Sequence, residues 1–580
     1  MEQKNLIIAI VLSAVILIGW TVFIEGPRMA AQQAQQQAAQ QAQPAQQPAQ
    51  QATPQDTGRK TLPREEALKE SPRVAIDNPR LQGSIALKGG RIDDLVLKDY
   101  RETIDPNSPN IVLLSPLDSK DAYYADFSWF SETKDMAIPS GETMWQADGQ
   151  TLSPGKPLTL TWDNGQGVTF ARKFEVDSDY MFTVTDTVSN KGGAPVEMSP
   201  YGRVVHYGTP ANASRSYVLH EGPMGVFDGS KDEAQYGSVK SDGEKGKKLT
   251  YTSTGGWMGN SDKYWLVAQI PPQDETLTAN IFYEPKGDFY QVDFLAAKRQ
   301  IPAGGSITRQ QHLFAGAKVE RMLADYRDTL NVPLLDRAVD FGWFFFLTKP
   351  MFKILDTIYG FVGNFGLAIM CLTVLVKACM FPLANKSYRS MSKMKILTPK
   401  MQELREKYGD DKAKLNQQMM ELYKREKVNP ASGCLPIFVQ IPVFYSLYKV
   451  IYVTIEMRHA PFFGWIQDLS APDPTSVLNL FGLIPWDYHA AFAIPLIGSA
   501  LHLLSIGVWP LIMGFTMWMQ MRLNPTPPDP VQAKIFALMP IVFTFMLAPF
   551  NAGLIIYWAW NNTLSIAQQR LIMWRMGVKP

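Results

Sequence analysis

The stretch from Gly360 to Pro382 is apolar over a length that can cross a lipid bilayer, which takes ~20 residues. It contains one ionisable side chain, Lys377, between Val376 and Ala378. A charge inside a membrane span costs roughly 2.5–3.5 kcal/mol on insertion scales, so such a residue usually faces protein or a water-filled cavity and marks a pathway. The alternative is that Lys377 only snorkels, because about five helical residues separate it from the exit by ~8 Å.

Apolar residues are concentrated in the last third of the 580-residue chain, although its mean hydropathy is −0.11. The length criterion predicts a multi-domain membrane protein with a five-span α-helical bundle in residues 359–580. The predicted spans cover residues about 360–382, 433–453, 503–521, 535–550 and 553–572. Residues 477–499 are apolar enough for a further span, but Pro485, Trp486 and Asp487 favour a periplasmic hairpin or a re-entrant segment.

The N-terminal 25 residues contain a separate apolar run, Leu6 to Ile24. A cleaved signal peptide is the alternative, because the sequence MAAQQA follows closely. The run exceeds the ~7–15 apolar residues of a signal peptide and ends in bulky side chains, so we predict a transmembrane signal anchor over residues 1–25. Residues 26–56 are rich in Ala, Gln and Pro, a composition typical of a flexible linker.

Residues 57–335 alternate apolar and polar side chains, with Gly, Asn and Asp at the turns. This pattern predicts a periplasmic β-sandwich, and Glu320 to Asp340 reads as a helix at its end. The three cysteines of the chain lie in or beside apolar spans, so this domain folds without disulfides. Its aromatic residues Trp257, Tyr264 and Trp265 fit either a ligand groove or the core.

Motifs for catalysis are missing from the sequence. The histidines His206, His220 and His312 lack metal-ligand spacing, and the chain contains neither a GxSxG elbow nor a Walker A loop. We therefore expect no cofactor, no metal site, no direct binding of nucleic acid and no energy source within this chain.

Two segments flank the first span of the bundle. Residues 336–358 are apolar but contain Lys349, Pro350, Lys353 and Asp356, a composition that predicts an amphipathic helix in the membrane interface. Residues 385–428 contain two helical patterns that meet at the sequence Gly-Asp-Asp, which predicts a helical hairpin. The predicted seam places Leu397, Met401, Leu404 and Tyr408 of one helix against Leu415, Met419 and Leu422 of the other.

The hairpin carries about a dozen Lys and Arg residues against about half as many acids, which indicates a cytoplasmic location. Its methionines fit either an adaptable binding surface or a solvated coiled-coil face. The same rule places both termini in the cytoplasm and the β-domain outside it. It also places the acidic loop between the second and third spans of the bundle outside the cytoplasm.

Polar side chains recur inside the predicted spans, at Thr373, Gln440, Ser446, Thr516, Gln520 and Asn561. Thr373 and Lys377 lie four residues apart and therefore share a helix face. If these polar faces converge, the bundle encloses a hydrated, positively charged cavity. Such a cavity would lower the desolvation cost of a polar segment entering the bilayer and would attract acidic segments.

Three stretches of the sequence resemble a known protein family. KVNPASGCLPIFVQIPVFYSLY from Lys427, NKSYRSMSKMKILTPKMQELREKYGDDK from Asn385 and MPIVFTFMLAPFNAGLIIYWAWNN from Met539 resemble the YidC family of membrane protein insertases, which includes the Oxa and Alb proteins. The resemblance is to the Gram-negative form of the family. It covers effectively the whole chain and is strongest from Phe341 onward.

The resemblance implies an insertase and chaperone of the bacterial inner membrane that inserts, folds and helps assemble membrane proteins. It implies a hydrophilic groove that is open to the cytoplasm and to lipid and closed toward the periplasm. The groove residues would be Thr373, Lys377, Gln440, Pro442, Thr516, Gln520, Tyr557 and Trp558, of which Thr516 and Gln520 rest on the polar pattern alone. The hairpin residues would be Lys393, Lys395, Arg405, Lys407 and Tyr408. The periplasmic domain would resemble a supersandwich.

The implied partners are nascent inner-membrane proteins with short translocated tails, membrane lipids and the Sec translocon (SecYEG, SecDF). Two departures from the family pattern matter. Lys377 stands where the family usually has arginine, and an ammonium lacks the planar fork of a guanidinium. The chain also ends at Lys579-Pro580 without a long basic tail, so we do not expect ribosome docking through such a tail.

Two other function classes remain open on the residues alone. A membrane hydrolase with Lys377 as its base would need a nucleophile within reach. A small-solute channel or transporter would be favoured by internal repeats, and the sequence has none.

Overall fold

The computed structural model describes residues 61–133, 136–210, 219–409, 411–426, 428, 435–484, 492, 498, 501, 504–524 and 530–577. The predicted signal anchor (residues 1–25) and linker (26–56) lie outside the described residues. The described chain forms two compact units, one ending at Asp340 and the other beginning at Phe341.

The first unit consists of two β-sheets whose strands alternate buried and less buried residues, as period-two sequence requires. Its strands, within the described residues, are β1 (Arg73–Asp77), β2 (Leu81–Ala86), β3 (Arg91–Arg101), β4 (Asn110–Leu114), β5 (Tyr123–Phe130), β6 (Gln146–Ala147), β7 (Thr151–Leu152), β8 (Leu158–Asp163), β9 (Val168–Val176), β10 (Met181–Asn190), β11 (Val196–Tyr207), β12 (Gly222–Phe227), β13 (Ser230–Glu233), β14 (Leu249–Thr254), β15 (Trp257–Ser261), β16 (Trp265–Ile270), β17 (Thr276–Glu284), β18 (Phe289–Ala296), β19 (Arg299–Ile301) and β20 (Ser306–Ala317).

One sheet has the order β14-β17-β18-β11-β5-β3-β2-β1-β7, with β19 paired to β11 and β4 to β3. The other has the order β13-β12-β15-β16-β20-β10-β9-β8-β6. Most strand pairs are antiparallel. In the pair of β10 and β20, Met181 lies opposite Phe314 at one end and Ser189 lies opposite Ser306 at the other. Three short helices complete the unit: α1 (Arg64–Ala67), α2 (Tyr236–Gly243) and α3 (Glu320–Thr329).

Helix α3 corrects the prediction of a helix from Glu320 to Asp340. It ends at Thr329, because Asn331 and Leu334 have positive φ angles of 52° and 54° on either side of Pro333. A short 3-10 helix then covers Leu335–Ala338.

The aromatic residues of this unit divide between the two interpretations. Trp257 is fully buried and its indole Nε1 donates to the carbonyl of Pro333 at 3.1 Å, so it belongs to the core. Trp265 lines a cavity of about 510 Å³ together with Tyr123, His206 and Asp262.

The second unit is helical. Its helices, within the described residues, are α4 (Phe345–Val362), α5 (Phe365–Tyr408), α6 (Lys412–Arg425), α7 (Leu435–Val453), α8 (Val508–Leu523), α9 (Pro530–Leu547) and α10 (Ala552–Arg575). Helix α5 is the one helix among these residues that is long and apolar enough by itself to cross a membrane.

Helix α5 differs from the prediction at both ends. The predicted span begins at residue 360, but α4 continues to Val362, and Gly363 (φ 69°) ends it. Asn364 then starts α5 by accepting a hydrogen bond from the amide of Leu367 at 3.0 Å. The predicted span and the first hairpin helix are one continuous helix through Pro382. Its 44 residues extend ~66 Å, more than twice the ~30 Å hydrocarbon core of a bilayer.

The C-terminal part of α5 packs against α6 as a helical hairpin. Five residues of the predicted seam belong to one apolar cluster, namely Leu397, Met401, Leu404, Met419 and Leu422. Tyr408 instead lies with two ammonium groups, those of Lys407 and Lys414, each 5.5 Å from its ring.

Contacts along α10 give the direction of its neighbours. On α5, the carbonyl of Met370 accepts a hydrogen bond from the indole of Trp560 (3.2 Å), and Lys377 contacts Ser565, so residue numbers rise together and the helices run parallel. Helix α8 is also parallel to α10, since Thr516 pairs with Asn562 and the carbonyl of Leu523 with Gln569.

Helix α7 runs the other way. Its Gln440 bonds Tyr557, whereas Ile451, eleven residues later, approaches Gly553 at the beginning of α10. Helix α9 is joined to α10 by four residues and returns beside it, with Phe543 and Trp558 rings 6.0 Å apart. Helices α5, α7, α8, α9 and α10 therefore alternate in direction.

Two described parts of the segment between α7 and α8 lie side by side. The amide of Val477 donates to Ile506 at 3.0 Å, and the hydroxyl of Ser505 donates to that of Ser476 at 3.1 Å. Of the ambiguous stretch 477–499, Val477–Gly482 forms 3-10 turns broken by left-handed backbone at Leu480 and Phe481 (φ 49° and 60°), and most of the rest lies outside the described residues.

A pH-dependent prediction follows from Asp262 in the β-unit. Burial raises the pKa of this carboxyl to about 6, against a smaller opposing effect of the Lys318 ammonium. The folded state thus binds more protons than the unfolded state between about pH 4 and 6, and stability falls as pH rises through that window. Asp262→Asn should raise the free energy of unfolding at pH 7 by at most about 3 kcal/mol, at roughly 1.4 kcal/mol per pKa unit.

Urea unfolding of the purified chain, followed by tryptophan fluorescence between pH 3.5 and 7, measures this. The gain should disappear at the acid end, where both states are protonated. The exposed Asp274→Asn serves as the matched control. An equal gain at both ends of the pH range would contradict the assignment.

Candidate functional site

Lys377 lies on the face of α5 that packs against α10. Its ammonium donates to the hydroxyl of Ser565 at 2.8 Å, and the side chain is partly buried. Ser565 is almost completely buried, and its own hydroxyl donates to the carbonyl of Asn561 at 2.8 Å. The ammonium is therefore held inside the bundle by a helix of the same unit, which is not the geometry of a side chain that only snorkels.

Helix α10 supplies most of the polar partners. Its buried polar residues Asn561, Ser565 and Gln569 recur every four positions and so form one stripe, with Asn562 beside it. The amide of Gln569 donates to the carbonyl of Leu523 at 3.1 Å, and that of Asn562 to the hydroxyl of Thr516 at 3.3 Å. Sequence reasoning noted only Asn561, although the four-residue spacing was a readable signal.

Helices α5 and α8 contribute the predicted hydroxyl and amide groups. Thr373 is buried one turn before Lys377, and its hydroxyl donates to the carbonyl of Ile369 at 2.7 Å. Thr516 donates similarly to Met513 at 2.8 Å, which leaves its oxygen to accept from α10. Gln520 lies one turn further along α8 and is partly buried.

Helix α7 meets α10 through an aromatic and amide contact. The side-chain amide of Gln440 donates to the hydroxyl of Tyr557. The ring of Phe444 stands edge-on to Trp558 at 4.7 Å. Pro442, inside α7 between these two residues, removes one backbone donor from the helix. Tyr557 is buried, whereas Trp558 is partly exposed between α7 and α9.

The hairpin residues form a second, separate surface. Lys393, Arg405 and Lys407 are exposed, and Lys395 is partly buried. These residues lie on the part of α5 that follows Pro382, and Pro382 is five residues after Lys377.

The Ser565 hydroxyl lies where a hydrolase with a lysine base would need its nucleophile. Two features oppose that chemistry. The hydroxyl proton is already donated to the carbonyl of Asn561, and Ser565 is 1% exposed, so a substrate carbonyl has no access to its oxygen. The arrangement can instead present a fixed positive charge and hydrogen-bonding groups within an apolar bundle.

Comparisons with known proteins give a consistent result. Residues 73–354 match the family described as the YidC periplasmic domain, and residues 357–579 match the family described as 60Kd inner membrane protein. The chain is 49% identical to the membrane protein insertase YidC of Bradyrhizobium diazoefficiens, over 100% of this chain and 97% of that protein. It is 52% identical to the protein of the same name from Nitrobacter hamburgensis, over 100% and 96%. A crystal structure of an active YidC insertase aligns with 85% of this chain and 91% of its own at 17% identity and a TM-score of 0.34.

The pairing of α8 with α10 predicts a specific cross-link. In a chain without its native cysteines, Thr516→Cys with Asn562→Cys should form a disulfide on mild oxidation, because the two side chains are in hydrogen-bond contact. The control pair Thr516→Cys with Gln569→Cys should not, since seven helical residues shift the partner by ~10 Å. A disulfide in the control pair alone would mean that the helices are out of this register.

Proposed function

The chain belongs to the YidC family of membrane protein insertases, and we propose that it inserts membrane-spanning segments through a polar face formed by α5, α7, α8 and α10. The observation that carries the proposal is the ammonium of Lys377, fixed at 2.8 Å from Ser565 inside an apolar bundle. Maintaining a charge at such a position is costly, and it is expected where polar groups of a translocating chain must be stabilised.

The proposed activity transfers a nascent chain from water into the bilayer. The polar tail of a nascent protein enters beside Lys377, whose positive charge favours acidic side chains. Hydroxyl and amide groups of Thr516, Gln520 and Gln440 replace part of the water that the tail loses, which lowers its desolvation cost.

The adjacent apolar segment then moves into lipid past α7 and the Trp558 side of α10. Apolar burial drives this movement at ~25 cal/mol per Å². No covalent bond is made or broken, so the proposed activity is not enzymatic.

The proposed topology has both termini in the cytoplasm, five spans after a signal anchor, and the β-unit in the periplasm. Two observations support it. The alternating helix directions suit chains that cross a membrane in succession, and the hairpin of α5 and α6 is rich in Lys and Arg. Because α7 and α8 run in opposite directions relative to α10, a single extra span between them would not fit.

The proposed substrates are nascent inner-membrane proteins with short translocated tails. This chain would insert them alone or beside the Sec translocon. The basic surface with Lys393, Arg405 and Lys407 suits reception of the nascent chain or contact with anionic lipid. Lysine in place of the family's arginine provides a compact charge with three rotatable donors and no fixed planar fork, so we expect tolerance of varied acidic tails.

Insertion into liposomes containing only the purified chain tests the proposal. The substrate is a single-span protein with a short acidic tail, and protection of the tail from protease is the readout. Lys377→Leu should reduce protection severalfold, whereas Lys377→Arg should retain it. Lys386→Leu, which removes an exposed lysine from the same helix, is the matched control and should leave protection unchanged.

Equal protection with all four proteins would contradict a role for the charge. Absence of protection by wild type in intact proteoliposomes would contradict autonomous insertion. Ser565 labelling by a serine-directed active-site probe would favour the hydrolase instead.

A further inference from the structure

The β-unit contains a cavity that the proposed insertion function does not use. Its volume is about 510 Å³, within the roughly 300–1,000 Å³ of small-molecule sites. One sheet contributes Tyr123 of β5 and His206 of β11 to the wall, and the other contributes Asp262 and Trp265 from the hairpin of β15 and β16. The apolar part of the wall consists of Leu62, Pro63, Val112 and Leu113.

Backbone pairing holds these four side chains in place. The amide of Asp262 donates to the carbonyl of Trp265 at 2.9 Å, which closes the hairpin turn between them. Tyr123 lies opposite His206 on the neighbouring strand, and the centroids of the two rings are 4.6 Å apart. The wall is therefore built from regular sheet structure, and a ligand would not need to order it on binding.

The carboxylate of Asp262 lacks a counter-ion of its own. The side chain is partly buried, and among the described residues it accepts no hydrogen bond and forms no ion pair. Lys318, the cation whose charge acts on it, instead donates to the hydroxyl of Ser261 at 2.9 Å. Charges taken out of water are ordinarily paired in proteins. The cavity therefore presents an unpaired negative charge to its occupant.

His206 supplies a second acceptor in the wall. Its ring Nδ1 lies 3.1 Å from the carbonyl oxygen of Gly208, which can only accept, so Nδ1 carries the proton. Burial lowers the pKa of the imidazole to about 4, and the neutral ring keeps a lone pair on Nε2. Because Asp262 and His206 both offer acceptors, a matching ligand has to donate hydrogen bonds.

A protonated amine meets these requirements better than an uncharged donor. An ammonium carries three donors and a positive charge, which a lone carboxylate lacks. The rings of Tyr123 and Trp265 in the wall also favour a cation, since the face of an aromatic ring is negative. The apolar part of the wall suits the carbon chain attached to the amine.

The other charges of the wall leave this position open. The guanidinium of Arg64 is already bonded to Asp94. Lys120 and Asp121 are adjacent, exposed and opposite in charge. A metal ion is a poorer fit than an organic cation, because within the described ranges no three His, Cys, Asp or Glu side chains come together as ligands.

We propose that this cavity binds a small organic cation, an alkyl ammonium, with Asp262 as its counter-ion, His206 as a further acceptor and Trp265 against its carbon chain. The site belongs to the β-unit and is separate from Lys377. It adds a ligand-binding role to this unit and does not depend on the proposed insertion function.

Ligand-observed NMR titration of the purified full chain with n-butylamine, which is protonated at neutral pH, tests the proposal. The wild type should bind it saturably. Asp262→Asn should weaken binding by about tenfold to a hundredfold, the range that a charge-assisted hydrogen bond provides. This substitution is nearly isosteric and is expected to stabilise the β-unit, so unfolding would not account for the loss. Asp274→Asn, which removes an exposed carboxylate from the same unit, should bind like wild type.

The uncharged analogue 1-butanol separates charge recognition from filling of an apolar space. It should bind the wild type at least about tenfold more weakly than n-butylamine, and Asp262→Asn should leave its binding unchanged. Equal affinity of wild type and Asp262→Asn for the amine would overturn the proposal. So would equal binding of amine and alcohol, or no saturable binding of the amine. Insertion plays no part in this assay, so failure of the proposed insertion activity would leave the result intact.

Discussion

Hydrocarbon offers no hydrogen bonds, so each polar group that a membrane helix carries must find its partner within the protein. This constraint explains why α10 is central to the helical unit. Its polar stripe bonds α5 through Ser565 and α8 through Asn562 and Gln569, while Tyr557 bonds α7. The helices are thereby joined in a fixed register. In the proposed function, the same side chains would also serve the inserting chain.

Register also fixes direction. The residue pairs in contact show that α5 and α8 are parallel to α10 and that α7 is antiparallel to it. Three helix starts therefore meet at one end. The first amides of α8 and α10 need acceptors there, and Asp473, Ala471 and Leu469 of the loop after α7 provide them, whereas Asn364 caps α5. The other end of α5 continues into the basic hairpin. The two ends of α5 therefore differ, which suits the proposed admission of a chain from one side.

Much of this was predictable because the relevant signals are local. Period-two sequence predicted the β-unit, and an apolar run with one lysine pointed to the side chain that contacts α10. Other features depended on long-range contacts. The uninterrupted α5 was missed because Pro382 reads as a stop, whereas a proline's lost donor and steric demand can be absorbed within a long helix. The break after α3 depends on left-handed backbone at Asn331 and Leu334. A leucine rarely adopts this conformation, so the sequence does not predict it at Leu334. The spacing of Ser565 from Asn561 was readable, but its contact with Lys377, 188 residues away, was not.

The central claim is that a polar tail travels along the face that contains Lys377. Photo-cross-linking to an arrested insertion intermediate tests it most directly, with the photoreactive residue at Gln520 on that face or at Leu538 on the exposed side of α9. We expect adducts with the tail from position 520 and few from position 538. Adducts of equal yield from both positions, or from position 538 alone, would contradict it.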